Sequence, residues 1–269
     1  MNPRDVFAIW QRTFQRKAMK VFVTALVTIA LFNSCNSNHD AAKALSNNET
    51  EKPSTHPSIR ENVLTSAEQK SLTPIAVMND LEEGNKHYAQ NHLTENDYIG
   101  MLHSSAQGQY PEAFILSCID SRVPVEEVFD KGIGDLFVGR VAGNFVNEDI
   151  LGSMEYGCKV SGAKLIVVLG HESCGAIKAA IEHERLGNIT AMLAKIKPAL
   201  EMSKDFAGEK TVENHAFVEY VVKNNIKNTI GTILIKSPVL KEMVDKGELK
   251  IVGAYYSFET GEVSFLDEK

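Results

Sequence analysis

The sequence predicts an α/β fold: a mostly parallel sheet flanked by helices, with an antiparallel edge strand near the C terminus. Several short apolar runs lack polar alternation, which is typical of strands buried on both faces of a parallel sheet. Helical stretches separate these runs, and strands that alternate with helices predict an α/β architecture. The last two strand-like segments flank a Thr260-Gly261 turn, which predicts a hairpin.

The elements follow in chain order. A first helix is predicted from about Ser66 to Glu95, where Ile75, Met78, Leu81 and Tyr88 are spaced to cover one face. The predicted strands are Ala113–Cys118, Asp135–Gly139, Lys164–Gly170, Leu249–Phe258 and Glu262–Leu266. Further helices are predicted for Asn147–Val160, Ile189–Met202, Val212–Ile230 and Val239–Lys246.

Composition excludes several classes of protein. The chain has 269 residues, of which 43% are hydrophobic and 23% are charged, as in an ordinary globular protein. Its formal net charge of −7 argues against nucleic-acid binding, which needs a basic face to displace counterions from phosphates. The sequence therefore indicates a soluble enzyme or binding domain that carries an additional N-terminal segment.

That N-terminal segment is typical of an export signal. Arg4, Arg12, Arg16, Lys17 and Lys20 precede a mostly apolar run from Val21 to Phe32. A run of this length is too short to span a bilayer core, which takes roughly 20 residues, but it suits the apolar region of a secretory signal. A buried core helix is the alternative, and the positive flank disfavours it. Translation could also begin at Met19.

Cys35 directly follows this run and resembles the acylated cysteine of a bacterial lipoprotein. Ser34 suits the small position before that cysteine, whereas Phe32 and Asn33 depart from the usual pattern. We therefore expect a signal peptide over residues 1–34, a flexible tether over 35–60 and a folded domain over 61–269. The protein is expected to be exported and to be periplasmic or membrane-anchored, with lipidated Cys35 as its sole attachment to a membrane.

Two loops carry residues that can bind a metal. Cys118-Ile119-Asp120-Ser121-Arg122 follows the first core strand, and His171-Glu172-Ser173-Cys174-Gly175 follows the third. In an open parallel sheet both loops lie at the carboxyl ends of strands, where ligands bind. Two cysteines and one histidine form a donor set that suits zinc. The sequence therefore predicts one zinc ion per chain, held by Cys118, His171 and Cys174.

Three protein ligands leave the fourth tetrahedral position open, as in catalytic zinc sites. Asp120 can compete for that position or hold the water that occupies it. Arg122 can pair with Asp120 and keep the carboxylate away from the metal. We therefore expect the pair to act as a gate in which Asp120 becomes a ligand when the pair is broken.

These motifs resemble the β-class carbonic anhydrases, and the similarity extends from about residue 70 to 266. The Cys-x-Asp-x-Arg motif at 118–122 and the His-x-x-Cys motif at 171–174 both match the family. Further matches are Gln109 with Pro111, Gly134–Val138 with Arg140, Ala142–Asn144, Ser153 with Glu155 and Tyr156, Ser237–Leu240, and Gly253–Tyr255. Val141 departs from the family pattern, in which Asn commonly follows the arginine.

The resemblance implies reversible hydration of CO2 to bicarbonate and a proton by a zinc-bound hydroxide. It implies that Asp120, held by Arg122, orients this hydroxide and that Gln109 donates a hydrogen bond to the substrate. Phe137 and Tyr156 would line an apolar cleft, and Gly175 would border the substrate. In the family a partner subunit supplies some of these groups, so the expected unit is a homodimer or higher oligomer.

Two other interpretations remain open at the sequence level. The same centre could act on a sulfur analogue such as CS2, because the catalytic residues would look alike. In a zinc-stabilised interaction module on a membrane surface, a ligand would instead fill the fourth zinc position at all pH values, and Arg122 would not be needed. The presence of Asp120, Arg122 and Gln109 favours an enzyme.

Overall fold

Five strands form one sheet in the spatial order β2-β1-β3-β4-β5. The computed structural model describes residues 59–266. The strands are β1 (Ala113–Ser117), β2 (Leu136–Arg140), β3 (Leu165–His171), β4 (Lys250–Tyr256) and β5 (Val263–Phe265). The first four are mutually parallel and β5 pairs antiparallel with β4, which confirms the predicted fold class.

Helices cover both faces of this sheet. In chain order they are α1 (Ser66–Ser71), α2 (Pro74–Ala89), α3 (Tyr98–Ser105), α4 (Val125–Val128), α5 (Glu148–Glu155), α6 (Gly175–Ile181), α7 (Gly187–Leu193), α8 (Lys197–Glu201), α9 (His215–Lys236) and α10 (Pro238–Asp245). A π-helical turn, Tyr156–Val160, continues α5. Among the described residues, none of these helices is both long enough and apolar enough to cross a membrane.

Every residue of β1 and β3 is buried, as their apolar sequences predict. Successive side chains along each strand point to opposite faces of a sheet. Leu116 and Val168 belong to the core on the α9 side, together with Ile226. The other face packs in a second core, which contains Ile115 of β1 and Leu81 of α2. The two central strands are thus fixed on both sides, and so are the loops that follow them.

The first predicted helix is two helices. Thr73 caps the N terminus of α2 and Pro74 occupies its first turn, so the helix is interrupted between Ser71 and Pro74. Proline suits a first helical turn but lacks the N–H that a continuous helix needs. The predicted apolar face is also partly wrong, because Ile75 is exposed whereas Leu81 is buried.

Two other helix predictions require correction. The predicted helix Ile189–Met202 is divided into α7 and α8, and Pro198 lies in the first turn of α8. The next helix begins at His215, where the Asn214 side chain accepts a hydrogen bond from the Phe217 N–H. It continues to Lys236, beyond the predicted end at Ile230.

Arg60, close to the first described residue, contacts the folded domain directly. Arg60, the last residue of the expected tether, forms a parallel bridge with Asn96 and an ion pair with Asp135 at 3.3 Å. Its guanidinium also donates to the Asp130 carbonyl. Asp135 directly precedes β2, so Arg60 lies at the amino edge of the sheet. Arg60 is thus bound to the folded domain, whereas the predicted signal at 1–34 and Cys35 lie outside the described residues.

Candidate metal centre

The structure brings Cys118, His171 and Cys174 together. Cys118 follows β1, His171 is the last residue of β3, and Cys174 caps the N terminus of α6. Because β1 and β3 are parallel neighbours, their carboxyl ends meet at one edge of the sheet. The two sulfur atoms and a ring nitrogen of His171 lie within 4.8 Å of one another, and all three residues are buried.

One nitrogen of His171 has no hydrogen-bond partner. Its Nδ1 lies 2.8 Å from the Glu172 carbonyl oxygen, which can only accept, so Nδ1 carries the proton. The bare Nε2 is buried and has no partner among the described residues. A buried lone pair without a donor is unfavourable unless something binds it. An imidazole fixed by its other nitrogen is a common form of metal ligand.

The two thiols share one site without forming a disulfide. A hydrogen bond from Cys174 lowers the pKa of Cys118 to about 4, and burial opposes this only in part. The same bond, reinforced by burial, raises the pKa of Cys174. The pair therefore favours one thiolate and one thiol, because two buried anions would repel each other. A divalent cation would remove this conflict, since metal binding releases the thiol protons.

Asp120 forms a paired ion with Arg122 beside the cluster. The guanidinium Nε donates to Oδ1 at 3.0 Å and Nη2 donates to Oδ2 at 2.8 Å. The Arg122 backbone N–H also donates to Oδ1 at 3.0 Å. The hydrogen bonds from Arg122 lower the pKa of Asp120 to about 2. Asp120, the predicted occasional fourth ligand, is thus held as a carboxylate by Arg122 in this structure.

Three supporting residues were not among the predicted site residues. Arg140, at the end of β2, donates to the Cys118 and Asp120 carbonyl oxygens at 2.9 and 2.7 Å. The Phe258 ring lies 4.2 Å from the Arg122 guanidinium carbon and 5.2 Å from the His171 ring. Glu172 accepts hydrogen bonds from the Phe258 and Glu259 backbone and so fixes this segment. No spacing in the sequence links residue 258 to the metal loops.

The predicted substrate-contacting residues lie in two places. Gly175 adjoins Cys174, and a Cβ there would meet no atom within 4 Å, so the backbone is open on that side. Gln109 is exposed and precedes β1, at the opposite edge of the sheet from Cys118. Five residues of strand separate the two edges, or roughly 16 Å.

Phe137 and Tyr156 also lie away from the cluster. Phe137 pairs with Phe114 in the amino half of the sheet. Tyr156 is 54% exposed, and the two rings line one surface cavity beside edge strand β2. A single chain therefore does not bring Gln109, Phe137 and Tyr156 to Cys118, His171 and Cys174.

Comparison with known sequences gives consistent matches. Residues 113–263 match the carbonic anhydrase family. Carbonic anhydrase 2 of Mycobacterium tuberculosis is 31% identical over 206 residues, which cover 73% of this chain and 95% of that protein. Carbonic anhydrase of Mycolicibacterium smegmatis is 31% identical over 196 residues, which cover 71% of this chain and 92% of that protein.

Solved structures show the same fold. The β-carbonic anhydrase CcaA superposes with a TM-score of 0.57 at 24% identity, over 72% of this chain and 93% of its own. A tetrameric β-carbonic anhydrase of Sordaria macrospora gives 0.56 at 23% identity, over 72% and 95%. The β-carbonic anhydrase CafA of Aspergillus fumigatus gives 0.55 at 25% identity, over 72% and 89%.

Proposed function

This chain belongs to the β-class carbonic anhydrases, enzymes that hydrate CO2. We propose that Cys118, His171 and Cys174 hold one zinc ion per chain for that reaction. The observation that carries the proposal is the buried, unpartnered His171 Nε2 beside two sulfur atoms. This donor set suits zinc and leaves one coordination position for the reaction. When bound, zinc would act as a Lewis acid that lowers the pKa of water and supplies hydroxide at neutral pH.

The Asp120–Arg122 pair orients the nucleophile. Asp120 is ionised at neutral pH, since Arg122 lowers its pKa to about 2. A carboxylate accepts a hydrogen bond, so Asp120 would accept one from the water or hydroxide at the centre and would orient its oxygen toward CO2. Arg122 occupies one side of each carboxylate oxygen and keeps Asp120 from becoming a ligand. Phe258 stacks on the guanidinium and limits its movement.

A second copy of the chain completes the substrate cleft in this proposal. Gln109 lies at the amino edge of the sheet and Tyr156 is exposed beside edge strand β2, so both can face a partner. By similarity to the family, the Gln109 side chain of one subunit donates to a substrate oxygen at the other subunit's metal. The rings of Phe137 and Tyr156 form the apolar wall. The proposed active unit is a homodimer or a higher homo-oligomer.

We also propose that residues 1–34 direct export and that Cys35 is acylated. The support is the positive leader, the apolar run at 21–32 and the position of Cys35 directly after it. The protein would then be periplasmic or membrane-attached. Cell fractionation of wild type and Cys35→Ala tests this: the variant should move from the membrane to the soluble fraction. Wild-type protein found in the cytoplasm would contradict export.

The enzymatic proposal is tested by measuring zinc and CO2 hydration on the same purified protein. We expect about one zinc per chain and rapid, azide-sensitive hydration in stopped flow. A Cys174→Ser variant should lose both. Protein that holds zinc but does not hydrate CO2 at neutral or alkaline pH would contradict the proposed mechanism.

A further inference from the structure

Two buried polar side chains of α9 bind the turn that follows β2. Asn225 and Thr229 lie one helical turn apart and are 0% and 1% exposed. Asn225 Nδ2 donates to the Gly143 carbonyl at 2.8 Å, and Thr229 Oγ1 donates to the Asn144 carbonyl at 3.3 Å. Buried polar groups are unfavourable unless they are hydrogen-bonded, and here both bonds go to adjacent carbonyls of one turn.

That turn has a backbone conformation that needs support. The Asn144 N–H donates to the Val141 carbonyl at 2.9 Å, which closes a turn of four residues. Gly143 and Asn144 have φ angles of +82° and +39°, both in the left-handed region. A Cβ on Gly143 would also lie 2.6 Å from Ile196 Cδ1. Glycine and asparagine are the residues that tolerate such angles, and hydrogen bonds from α9 fix the turn in place.

The turn delivers one N–H to the metal centre. The Gly143 N–H donates to Cys118 Sγ at 3.4 Å, and this bond is buried. Asn225 holds the carbonyl of the same residue. That carbonyl belongs to the peptide plane on the other side of the Gly143 Cα, so Asn225 fixes the turn and, through the turn backbone, the position of the Gly143 N–H. Hydrogen bonds to a ligating sulfur tune the ligand and fix its orientation.

We propose that Asn225 is a positioning residue for Cys118, acting through Gly143. The inference rests on the proposed zinc site, in which Cys118 is a ligand. The orientation of the Asn225 amide follows from its contact, because the Gly143 carbonyl can accept only from the NH2 group. Its Oδ1 has no hydrogen-bond partner among the described residues. The amide therefore donates to the turn while its own oxygen has no partner. Packing of a helix against a sheet would not by itself require this arrangement.

The neighbouring residue provides a matched control. Asn224 has the same chemistry, lies on the same helix and is also buried, with 6% exposure. Its Nδ2 donates to the Met202 carbonyl at 3.2 Å and to Ser203 Oγ at 2.9 Å, away from the turn. Asn225→Leu and Asn224→Leu therefore remove equivalent buried amides, but only the former loses contact with Gly143.

The test measures zinc affinity by competition with a chromogenic chelator, and the thiolate-to-metal absorption of the Co2+-substituted protein. We expect Asn225→Leu to lower zinc affinity about 10- to 100-fold and to shift the Co2+ absorption, while Asn224→Leu keeps both near wild type. If Asn225→Leu does not fold, Asn225→Ala removes the same donor without added bulk and should show the same loss.

Three outcomes would overturn the inference, and they can be told apart. Equal zinc affinity and unchanged Co2+ absorption in wild type and the Asn225 variant would refute the positioning role alone. Equal losses in the Asn225 and Asn224 variants would do so too, because the effect would then be general destabilisation. Wild-type protein that binds no zinc would overturn the proposed function together with this inference.

Discussion

At the residue scale, Arg122 holds Asp120 with two side-chain hydrogen bonds and one backbone hydrogen bond. Arg122→Ala removes the side-chain bonds, so Asp120 is no longer oriented and is free to approach the metal. We expect kcat/KM for CO2 at neutral pH to fall about 10- to 100-fold, the range typical when a partner of a metal site is lost. Stopped-flow kinetics and zinc content measured together would show this.

Arg122→Lys is the control for charge. Lysine keeps the positive charge but cannot form the two-pronged contact with a carboxylate. Its activity should fall between wild type and Arg122→Ala, with zinc content unchanged. Full activity of Arg122→Ala at neutral pH would mean that the pair does not control the centre.

The environment of Asp130 predicts that the protein loses stability in acid. Burial alone raises its pKa, but hydrogen bonds from His87 and Thr94 outweigh this and hold the pKa below its usual range. A carboxyl with a lowered folded-state pKa stabilises the protein above its unfolded-state pKa of about 3.9, and this stabilisation is lost as pH falls through the folded-state pKa. Asp130 therefore contributes at neutral pH and progressively less below about pH 4.

Asp130→Asn isolates this contribution. Asp130 has a φ of +50°, which asparagine also tolerates, so the substitution removes charge without straining the backbone. We expect a loss of about 1–3 kcal/mol in the free energy of unfolding at pH 7, since hydrogen bonds to a charged group are weakened. Urea unfolding at pH 7 and pH 3 would measure it. A deficit as large at pH 3 as at pH 7 would contradict the assignment.

The cluster of Cys118, His171 and Cys174 could be predicted from sequence, whereas the residues that support it could not. Cys118 and His171 end short apolar runs, so placing them together needed only the rule that parallel strands share a carboxyl edge. Phe258 reaches Arg122 through the return of the chain after β4, which no local pattern encodes. In the sequence Asn225 is an ordinary polar position in a helix, and its contact with the turn at Gly143 is evident only in the folded structure.

At the scale of elements, α9 packs closely on the sheet because β4 has glycine at the contact. A Cβ on Gly253 would lie 2.5 Å from Ile226 Cγ2. Gly253→Ala should therefore destabilise the fold by about 1–3 kcal/mol through overpacking. Gly231, inside α9, has no atom within 4 Å of its would-be Cβ, so Gly231→Ala should stabilise by about 0.5–1 kcal/mol.

Thermal or denaturant unfolding of the two variants side by side tests this pair. The same substitution should lower the free energy of unfolding at position 253 and raise it at position 231. If Gly253→Ala is neutral, α9 can move away from β4. The contact at Gly253 would then not fix the position of α9, or of its residue Asn225 against the turn at Gly143.

Element types were easier to predict than element ends. The five strands were recognised because buried parallel strands are continuous apolar runs. The helix breaks at Pro74 and Pro198 were missed because proline is compatible with a helix start as well as with a break, and only packing decides between them. The π-helical turn after Glu155 has no known sequence signal here.

For the whole molecule, the proposed shared active site predicts complementation between inactive subunits. In that proposal Gln109→Ala removes the group that serves the partner, and Arg122→Ala disables the subunit's own centre. A mixed dimer of the two contains one complete site, so co-expressed chains should recover about a quarter of wild-type activity when they pair at random. Each variant alone should be nearly inactive.

Gln107→Ala provides the control for Gln109→Ala, because Gln107 is also exposed and lies two residues away. It should retain wild-type activity alone and in mixtures. Absence of recovery in verified mixed dimers would show that Gln109 serves its own chain. Full activity of Gln109→Ala alone would show that Gln109 has no part in the reaction.

The contacts of Arg60 determine where a force on the preceding part of the chain would act on the domain. Tension on the N-terminal segment would be borne by the ion pair with Asp135 and the bridge to Asn96, both at the amino edge of the sheet. The metal loops lie at the carboxyl edge. Force applied through the chain that precedes Arg60 would therefore load the amino edge of the sheet and leave the loops that carry Cys118, His171 and Cys174 unloaded.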